Sequence, residues 1–229
     1  MRTAGIGRWL TVASAFWFVS GQAVAAPSPQ EVLNKAMARM TGARTYQATY
    51  VMTSPRGTQT MQLKSVTKKK QSLTITPPGI QVIDDGKTMV MYNKAANAYG
   101  RMPSQVAGAS SIVAAQLAAM ERTSSMKFGA PTKIGGASVL VIEVTPKQPG
   151  GATAKLYIEQ GSYRLLKVVD QRTMPGVGGQ KGQTLSQTIS ITNEKVNAPI
   201  PDSAFKFTPP PGAKEMAAPA PGAMGGPRR

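Results

Sequence analysis

Apolar and polar side chains alternate along most of this chain, and this two-residue period constrains its fold more than any other feature. Residues 46–53, 61–64 and 73–76 carry an apolar side chain at every second position, and so do 139–145 and 155–159. Successive side chains of a β-strand point to opposite faces of its sheet, so each segment has one apolar face. Antiparallel sheets with one covered face are typical of this pattern.

The segment VIDDGKTMVMYN, residues 82–93, predicts a β-hairpin. Asp85 and Gly86 suit a two-residue type I′ turn, because both central residues of that turn need a positive φ. Asp84 and Asp85 are the only adjacent carboxylates of the chain. Neighbours in a strand point to opposite faces, so we interpret this pair as turn residues rather than as a catalytic dyad.

Two helical segments interrupt the strands. The capping box Ser-Pro-Gln-Glu at 28–31 predicts a helix over 29–41, and Gly42 is expected to end it in the left-handed conformation. A second helix, rich in Ala, Gly and Ser, is predicted within 104–122, with Ser104 as its cap. With about five strands on each side of that helix, the predicted fold is mainly β (α+β). It is a strongly curved antiparallel sheet, or unclosed β-barrel, whose concave apolar face two helices cover.

The chain is expected to be exported. Residues 1–25 have a positive start, an apolar stretch over 9–19 and an Ala-Val-Ala cleavage pattern at 23–25, as a secretory signal peptide does. An uncleaved anchor is the alternative, which the cleavage pattern disfavours. We therefore predict a signal peptide over 1–25, a folded domain over 26–211 and a disordered Pro/Gly/Ala-rich tail over 212–229, in a soluble periplasmic protein.

Catalytic groups are sparse. The chain has no His and no Cys, and its 10 carboxylates fall mostly one to a segment. Residues 124–127 fit the pattern Ser-x-x-Lys but lack the motifs that accompany it in serine acyl-transfer enzymes. The Gly-rich segment 176–184 lacks the spacing of a phosphate-binding loop. The sequence therefore predicts a protein that is not an enzyme and that holds neither a metal nor a cofactor.

The chain is strongly basic, with a formal net charge of +17. Outside the cytoplasm a basic protein meets anionic lipid headgroups and acidic polysaccharide rather than nucleic acid. The longest basic run, Lys68-Lys69-Lys70, is short, and most other cations are spread singly. An anionic membrane surface or polyanion is one candidate partner, and a solvated basic surface is the alternative.

Two stretches resemble the LolA-like family of periplasmic lipoprotein carriers. VIDDGKTMVMYNKAANAY, residues 82–99, resembles the family's hairpin, in which a DGK turn leads into an apolar strand. DSAFKFTPPPGAKEM, residues 202–216, resembles the C-terminal F-x-F-T-P-P-x-G segment that closes its sheet. VTPK at 144–147 is a weaker match. The order of predicted elements agrees with the family over nearly all of the chain after residue 25.

The resemblance implies an unclosed β-barrel that holds the acyl chains of a lipoprotein or lipid on the way to the outer membrane. An inner-membrane release complex and an outer-membrane acceptor are the further partners it implies. One segment departs from the family: true carriers have an aromatic-rich strand with a latching Arg before the hairpin, and TKKKQSLTI at 67–75 has neither. The alternative role is that of a regulator on the same fold, which senses mislocalised lipoprotein and binds a membrane partner protein.

Strand parity predicts which side chains share the covered face. In the hairpin the parity is ambiguous, and we favour Met89 and Met91 over Val90 and Tyr92, because flexible thioethers adapt to varied acyl chains. The alternative for each residue is direct packing on the helices as core. The predicted lipid-binding cavity wall consists of Tyr50, Met52, Met61, Leu63, Leu73, Ile75, Met89, Met91, Ile142, Leu156, Ile158 and Ile189.

Overall fold

The computed structural model describes residues 26–105, 112–148, 151–174 and 183–216. The predicted signal peptide and most of the predicted tail lie outside these residues. The described α-helices are α1 (Pro29–Thr41) and α2 (Ile112–Thr123), and a short 3-10 helix spans Asp202–Phe205. No helix among the described residues is long and apolar enough to cross a bilayer. The described strands are β1 (Thr45–Ser54), β2 (Gly57–Val66), β3 (Lys70–Thr76), β4 (Ile80–Asp84), β5 (Thr88–Asn93), β6 (Ala98–Pro103), β7 (Ser124–Phe128), β8 (Thr132–Ile134), β9 (Ala137–Pro146), β10 (Thr153–Glu159), β11 (Leu165–Met174), β12 (Gln183–Val196) and β13 (Lys214–Met216).

All of these strands form one sheet. Its order is β13-β6-β5-β4-β3-β2-β1-β12-β11-β10-β9-β7, and β8 pairs with β9. The described pairings are antiparallel except that of β13 with β6. The sheet is large, curved and open rather than closed into a barrel, which confirms the predicted fold class.

Helix α1 forms where the capping box predicted it. The Ser28 hydroxyl accepts from the Glu31 amide, and the Glu31 carboxylate accepts from the Ser28 amide. Gly42 ends the helix, but the expected left-handed conformation is wrong, because its φ is −85°. A Cβ at this position would lie 2.8 Å from the Ala38 carbonyl oxygen, so close packing rather than handedness accounts for the glycine. The apolar face of α1 buries Val32, Leu33, Ala36 and Met40.

The second helix is present as α2. Residues 104 and 105 are not helical, so Ser104 does not cap a helix that begins there. Residues 106–111 lie outside the described part of the chain. Leu117 of α2 joins the apolar cluster of α1 and the sheet, so the core lies between the helices and the concave face.

The predicted hairpin pairs β4 with β5, but its turn differs from the expected type I′ turn. Residues 85–87 separate the strands, and Gly86 has a φ of +94° whereas Asp85 is not at positive φ. The Asp85 carboxylate instead accepts from the amides of Lys87 and Thr88, which lowers the pKa of Asp85. The buried Asp84 carboxylate accepts from the amides of Gly86 and Gln105. Both aspartate side chains therefore accept hydrogen bonds from backbone amides. These hydrogen bonds stabilise a turn that is longer than the expected two-residue turn.

The C-terminal segment covers the outer, convex face at one end of the sheet. The Phe207 ring lies 5.2 Å from that of Tyr99 and 5.8 Å from that of Tyr92, measured between centroids. Tyr92 and Tyr99 pair across β5 and β6 and point away from the concave face. Phe205 is buried. Residues 214–216 fall within the predicted tail, but they form β13, because the chain after Phe207 continues along the exposed edge of β6.

We predict that Gly86→Ala destabilises the protein by more than about 1 kcal/mol, because alanine tolerates a positive φ poorly. A Cβ at Gly86 would also clash with the Lys69 carbonyl oxygen. Gly136→Ala is the matched control, since its φ is +83° and nothing lies within 4 Å of its Cβ. Urea unfolding should show the larger loss for Gly86→Ala. Equal losses would show that the contact with Lys69 does not matter.

Candidate functional site

The strand register brings all twelve predicted residues to the concave face. Residues that pair directly across antiparallel strands point the same way. Leu63 pairs with Leu73, Leu73 with Val82, and Val82 with Met91. This resolves the ambiguous parity of the hairpin: Met91 points to the concave face and Tyr92 does not. Direct pairing places the remaining predicted residues on the same face. The pairs are Tyr50–Met61, Met61–Ile75, Met52–Ile189, Asp84–Met89, Val168–Leu156, Leu156–Ile142 and Ile158–Leu140.

Sharing a face does not give these residues the same surroundings. Six of them lie wholly within the packed cluster under α1 and α2, namely Tyr50, Leu63, Leu73, Ile142, Leu156 and Ile158. Ile75 is half-buried against that cluster. Met89 is buried outside the cluster, and Met91 is half-buried. Contact of these nine residues with lipid remains a prediction.

The remaining three, Met52, Met61 and Ile189, line an open groove of about 1240 Å³ at one end of the concave face. Met61 also belongs to the buried cluster, so it marks the boundary between core and groove. The end of α2 forms one wall of this groove, and β1, β2, β11 and β12 form its floor. Its other apolar lining residues include Ala119, Met120, Pro146, Ala152 and Leu185.

Charged side chains also line the groove. Four are cations, and the fifth is Asp170. The cations are Arg56 in the turn between β1 and β2, Arg122 in the last turn of α2, Lys147 after β9, and Arg172 of β11. All four are exposed.

Asp170 is half-buried on the concave face, where it pairs with Gln187 across β11 and β12. Its Oδ1 atom is buried and has no hydrogen-bond partner within the described residues. Burial raises the pKa of Asp170, because the charged form loses solvation. Among the described residues that line the groove, one carboxylate therefore has an oxygen without a hydrogen-bond partner.

Strand parity alone does not identify most of the groove. It marks Leu185 as an apolar position of its strand, and helical spacing does the same for Met120, but neither pattern shows that both lie beside Met52. The cations and Asp170 follow no sequence motif. Their common feature is their place at one end of the sheet, which only the register and the path of α2 reveal.

No family model matches the chain. An uncharacterized protein of Methanocaldococcus jannaschii is 27% identical over an alignment of 164 residues, and the match covers 69% of this chain and 44% of that protein. The chain thus spans less than half the length of this curated relative.

Solved structures resemble the fold. A chain from the complex of Pseudomonas aeruginosa MucA and MucB matches with a TM-score of 0.52 at 14% identity, over 78% of this chain and 60% of that one. An uncharacterized conserved protein from Thermus thermophilus matches with a TM-score of 0.49 at 13% identity, over 82% of this chain and 98% of that one. A LolA superfamily protein from Nitrosomonas europaea matches with a TM-score of 0.33 at 13% identity, over 80% of this chain and 99% of that one.

At these identities the comparisons concern the fold alone. The open curved sheet with helices on its concave face confirms the unclosed β-barrel that the sequence resemblance implied. The chain from the MucA and MucB complex is similar to it in fold.

We predict that Asp170→Asn changes the pH dependence of stability. A carboxyl whose pKa is raised on folding contributes stability below its unfolded pKa, near 3.8, and loses it as pH rises through the folded value. Asp170→Asn should therefore be more stable than the parent at neutral pH, with a smaller advantage at acid pH. Thermal melts across this range measure the difference.

Asp202→Asn is the control with the opposite sign. Its ion pair with Lys70 lowers the pKa of Asp202, so its contribution is present above 3.8 and is lost as pH falls. Removing it should cost a little stability at neutral pH. A destabilised Asp170→Asn variant at neutral pH would contradict the account of Asp170.

Proposed function

We propose that this protein is a periplasmic carrier without catalytic activity, and that it binds an acyl chain of a lipoprotein or lipid for transport toward the outer membrane. The observation that carries the proposal is the open groove on the concave face, with Met52, Met61, Met120, Leu185 and Ile189 among its lining residues. The LolA-like fold and the two sequence stretches that resemble lipoprotein carriers support it.

The physics of the groove suits an apolar ligand. Burial of apolar surface is worth about 25 cal/mol per Å², so a long acyl chain is held without a directed polar contact. Methionine side chains adapt their shape, so three of them accommodate chains of different length or saturation. A groove of about 1240 Å³ also exceeds the roughly 300–1,000 Å³ of ordinary small-molecule pockets.

Binding of a partner protein is the second candidate function. The fold match with a TM-score of 0.52 is to a chain solved in a complex of two proteins, MucA and MucB. On this hypothesis the chain is an envelope-stress regulator, and its groove or sheet edge contacts a membrane partner. A pull-down with the purified protein would recover one membrane protein in stoichiometric amount, and acyl ligands would be weakly retained.

We predict that Met52→Lys lowers acyl-chain retention on the order of tenfold, because it replaces apolar contact area with a charge at the groove floor. The protein should stay folded, since the lysine ammonium can reach water through the open groove. Native mass spectrometry of protein purified from the periplasm measures the bound acyl species, and a thermal melt reports the fold. Met216→Lys is the matched control, because Met216 is 54% exposed on β13.

Two results would contradict the carrier proposal. One is a wild-type protein that is reproducibly free of acylated species. The other is a Met52→Lys variant that retains them as well as Met216→Lys does. A collapsed melting temperature for Met52→Lys would place Met52 in a packed core and remove it from the groove.

A further inference from the structure

The side chains on the concave side of β11 become more polar and more exposed along the strand. Val168 lies in the buried core, Asp170 is half-buried and Arg172 is exposed. These residues alternate in one strand, so they form a single row on the face that Met52 and Ile189 share. The groove is thus apolar at its inner end and cationic at its outer end, which we call the mouth.

The chain topology gathers the cations at this mouth. Arg172 lies near the end of β11, and Arg56 lies in the turn that follows β1. Lys147 follows β9, and its ammonium donates to the backbone carbonyl of Arg122 in the last turn of α2, at 3.4 Å. Strand ends, a turn and a helix end therefore all contribute cations to one place.

None of these four cations forms an ion pair within the described residues. The ion pairs found there use Arg39, Lys70, Arg101, Lys127, Lys155 and Arg164. Other described cations, such as Lys64 and Lys195, form no ion pair there either. The groove cations differ from these in their placement, because all four line one groove beside a single described carboxylate with which none of them pairs.

Asp170 places a second requirement on the ligand of the groove. Within the described residues its buried Oδ1 atom has no donor, and Asp170 lines the groove between the apolar floor and the mouth. Asp170 lines the groove, so a rotation of its carboxylate about χ2 would present an acceptor to a ligand hydroxyl at this depth. A buried acceptor gains more from a partner than an exposed one does. An anion alone would leave Asp170 unsatisfied and would add repulsion.

We propose that the groove binds an anionic phospholipid whose headgroup carries hydroxyl donors, of the phosphatidylglycerol class. Its phosphate lies among Arg56, Arg122, Lys147 and Arg172, and its headgroup hydroxyl donates to Asp170. Its two acyl chains follow the floor toward Met52 and Ile189. Charge-assisted hydrogen bonds to phosphate are the strong ones, and arginine binds phosphate oxygens in pairs. This inference rests on the proposed acyl-binding function and names the class of its ligand.

Isothermal titration of the purified protein with short-chain lipids below their critical micelle concentration tests the preference for a net negative headgroup. We expect dihexanoyl phosphatidylglycerol to bind at least about tenfold more tightly than dihexanoyl phosphatidylcholine. Both lipids carry a phosphate, but the choline ammonium neutralises the headgroup and is repelled by the same cations. Arg122→Gln/Arg172→Gln should weaken binding of phosphatidylglycerol more than binding of phosphatidylcholine and so abolish the preference.

The matched control is Lys64→Gln/Lys195→Gln. Both lysines are exposed and pair with Gln47 on the convex face, so this variant loses the same charge away from the groove. It should keep the preference for phosphatidylglycerol. If both double variants lost the preference for phosphatidylglycerol equally, long-range attraction by a basic surface would explain that preference. This result would overturn the proposed headgroup site.

Dihexanoyl phosphatidylmethanol tests the contact with Asp170, because it carries the same charge without a headgroup hydroxyl. We expect it to bind more weakly than phosphatidylglycerol, and we expect Asp170→Ala to remove the difference. Equal binding of both lipids to the parent protein would overturn the assigned role of Asp170.

Three further outcomes separate this inference from the proposed function. Equal, measurable binding of phosphatidylglycerol and phosphatidylcholine would overturn the headgroup site and leave acyl binding intact. Absence of binding by every lipid would contradict the acyl-binding function itself. Inorganic phosphate that competes as strongly as phosphatidylglycerol would show a site for free anions and would overturn the lipid assignment.

Discussion

The pairing of β1 with β12 is the constraint on which the rest of the structure depends. It joins β2–β6 to β9–β11, so two runs of strands that are distant in sequence become one sheet. An ion pair of 3.2 Å between Arg39 of α1 and the buried carboxylate of Glu194 in β12 ties the first helix to the same junction. Breaking a buried ion pair leaves an uncompensated charge, so this contact specifies where α1 lies.

The groove exists because of this junction. Met52 of β1 and Ile189 of β12 pair directly across it, and both lie on the groove floor. Tyr50 and Ile191 pair two positions further in and belong to the packed core. One strand pair thus supplies both the core against which α1 packs and the apolar floor beyond the helices. The packed core and the open groove are only two residues apart along β1.

Much of the fold could be predicted from the sequence, because local patterns encode it. Alternation placed the strands, and the Ser28–Glu31 capping box placed α1. The type of the Asp85-Gly86 turn could not be predicted, because the side chains of two aspartates hydrogen-bond the backbone, which residue identity alone does not reveal. The strand Lys214–Met216 was not predicted because its three residues carry no apolar alternation, and only the exposed edge of β6 makes them a strand.

The site was less predictable than the fold. Parity identified the concave face, but it could not separate residues under the helices, such as Leu156, from residues beyond them, such as Met52. That distinction depends on where α1 and α2 lie, which is a tertiary property. Arg122 and Arg172 are also far apart in the sequence, and nothing local indicates that they share a groove.

Nuclear magnetic resonance of isotope-labelled methionine methyl groups, during titration with a short-chain acyl ligand, tests the central claim most directly. Methionines are distributed across the groove, the core and the sheet edge, so each methyl reports one location. The account predicts that the signals of Met52, Met61 and Met120 shift together and saturate, while those of Met40 in the core and Met216 at the edge stay in place. Shifts confined to Met216, or no saturable shift at the three groove methionines, would contradict it.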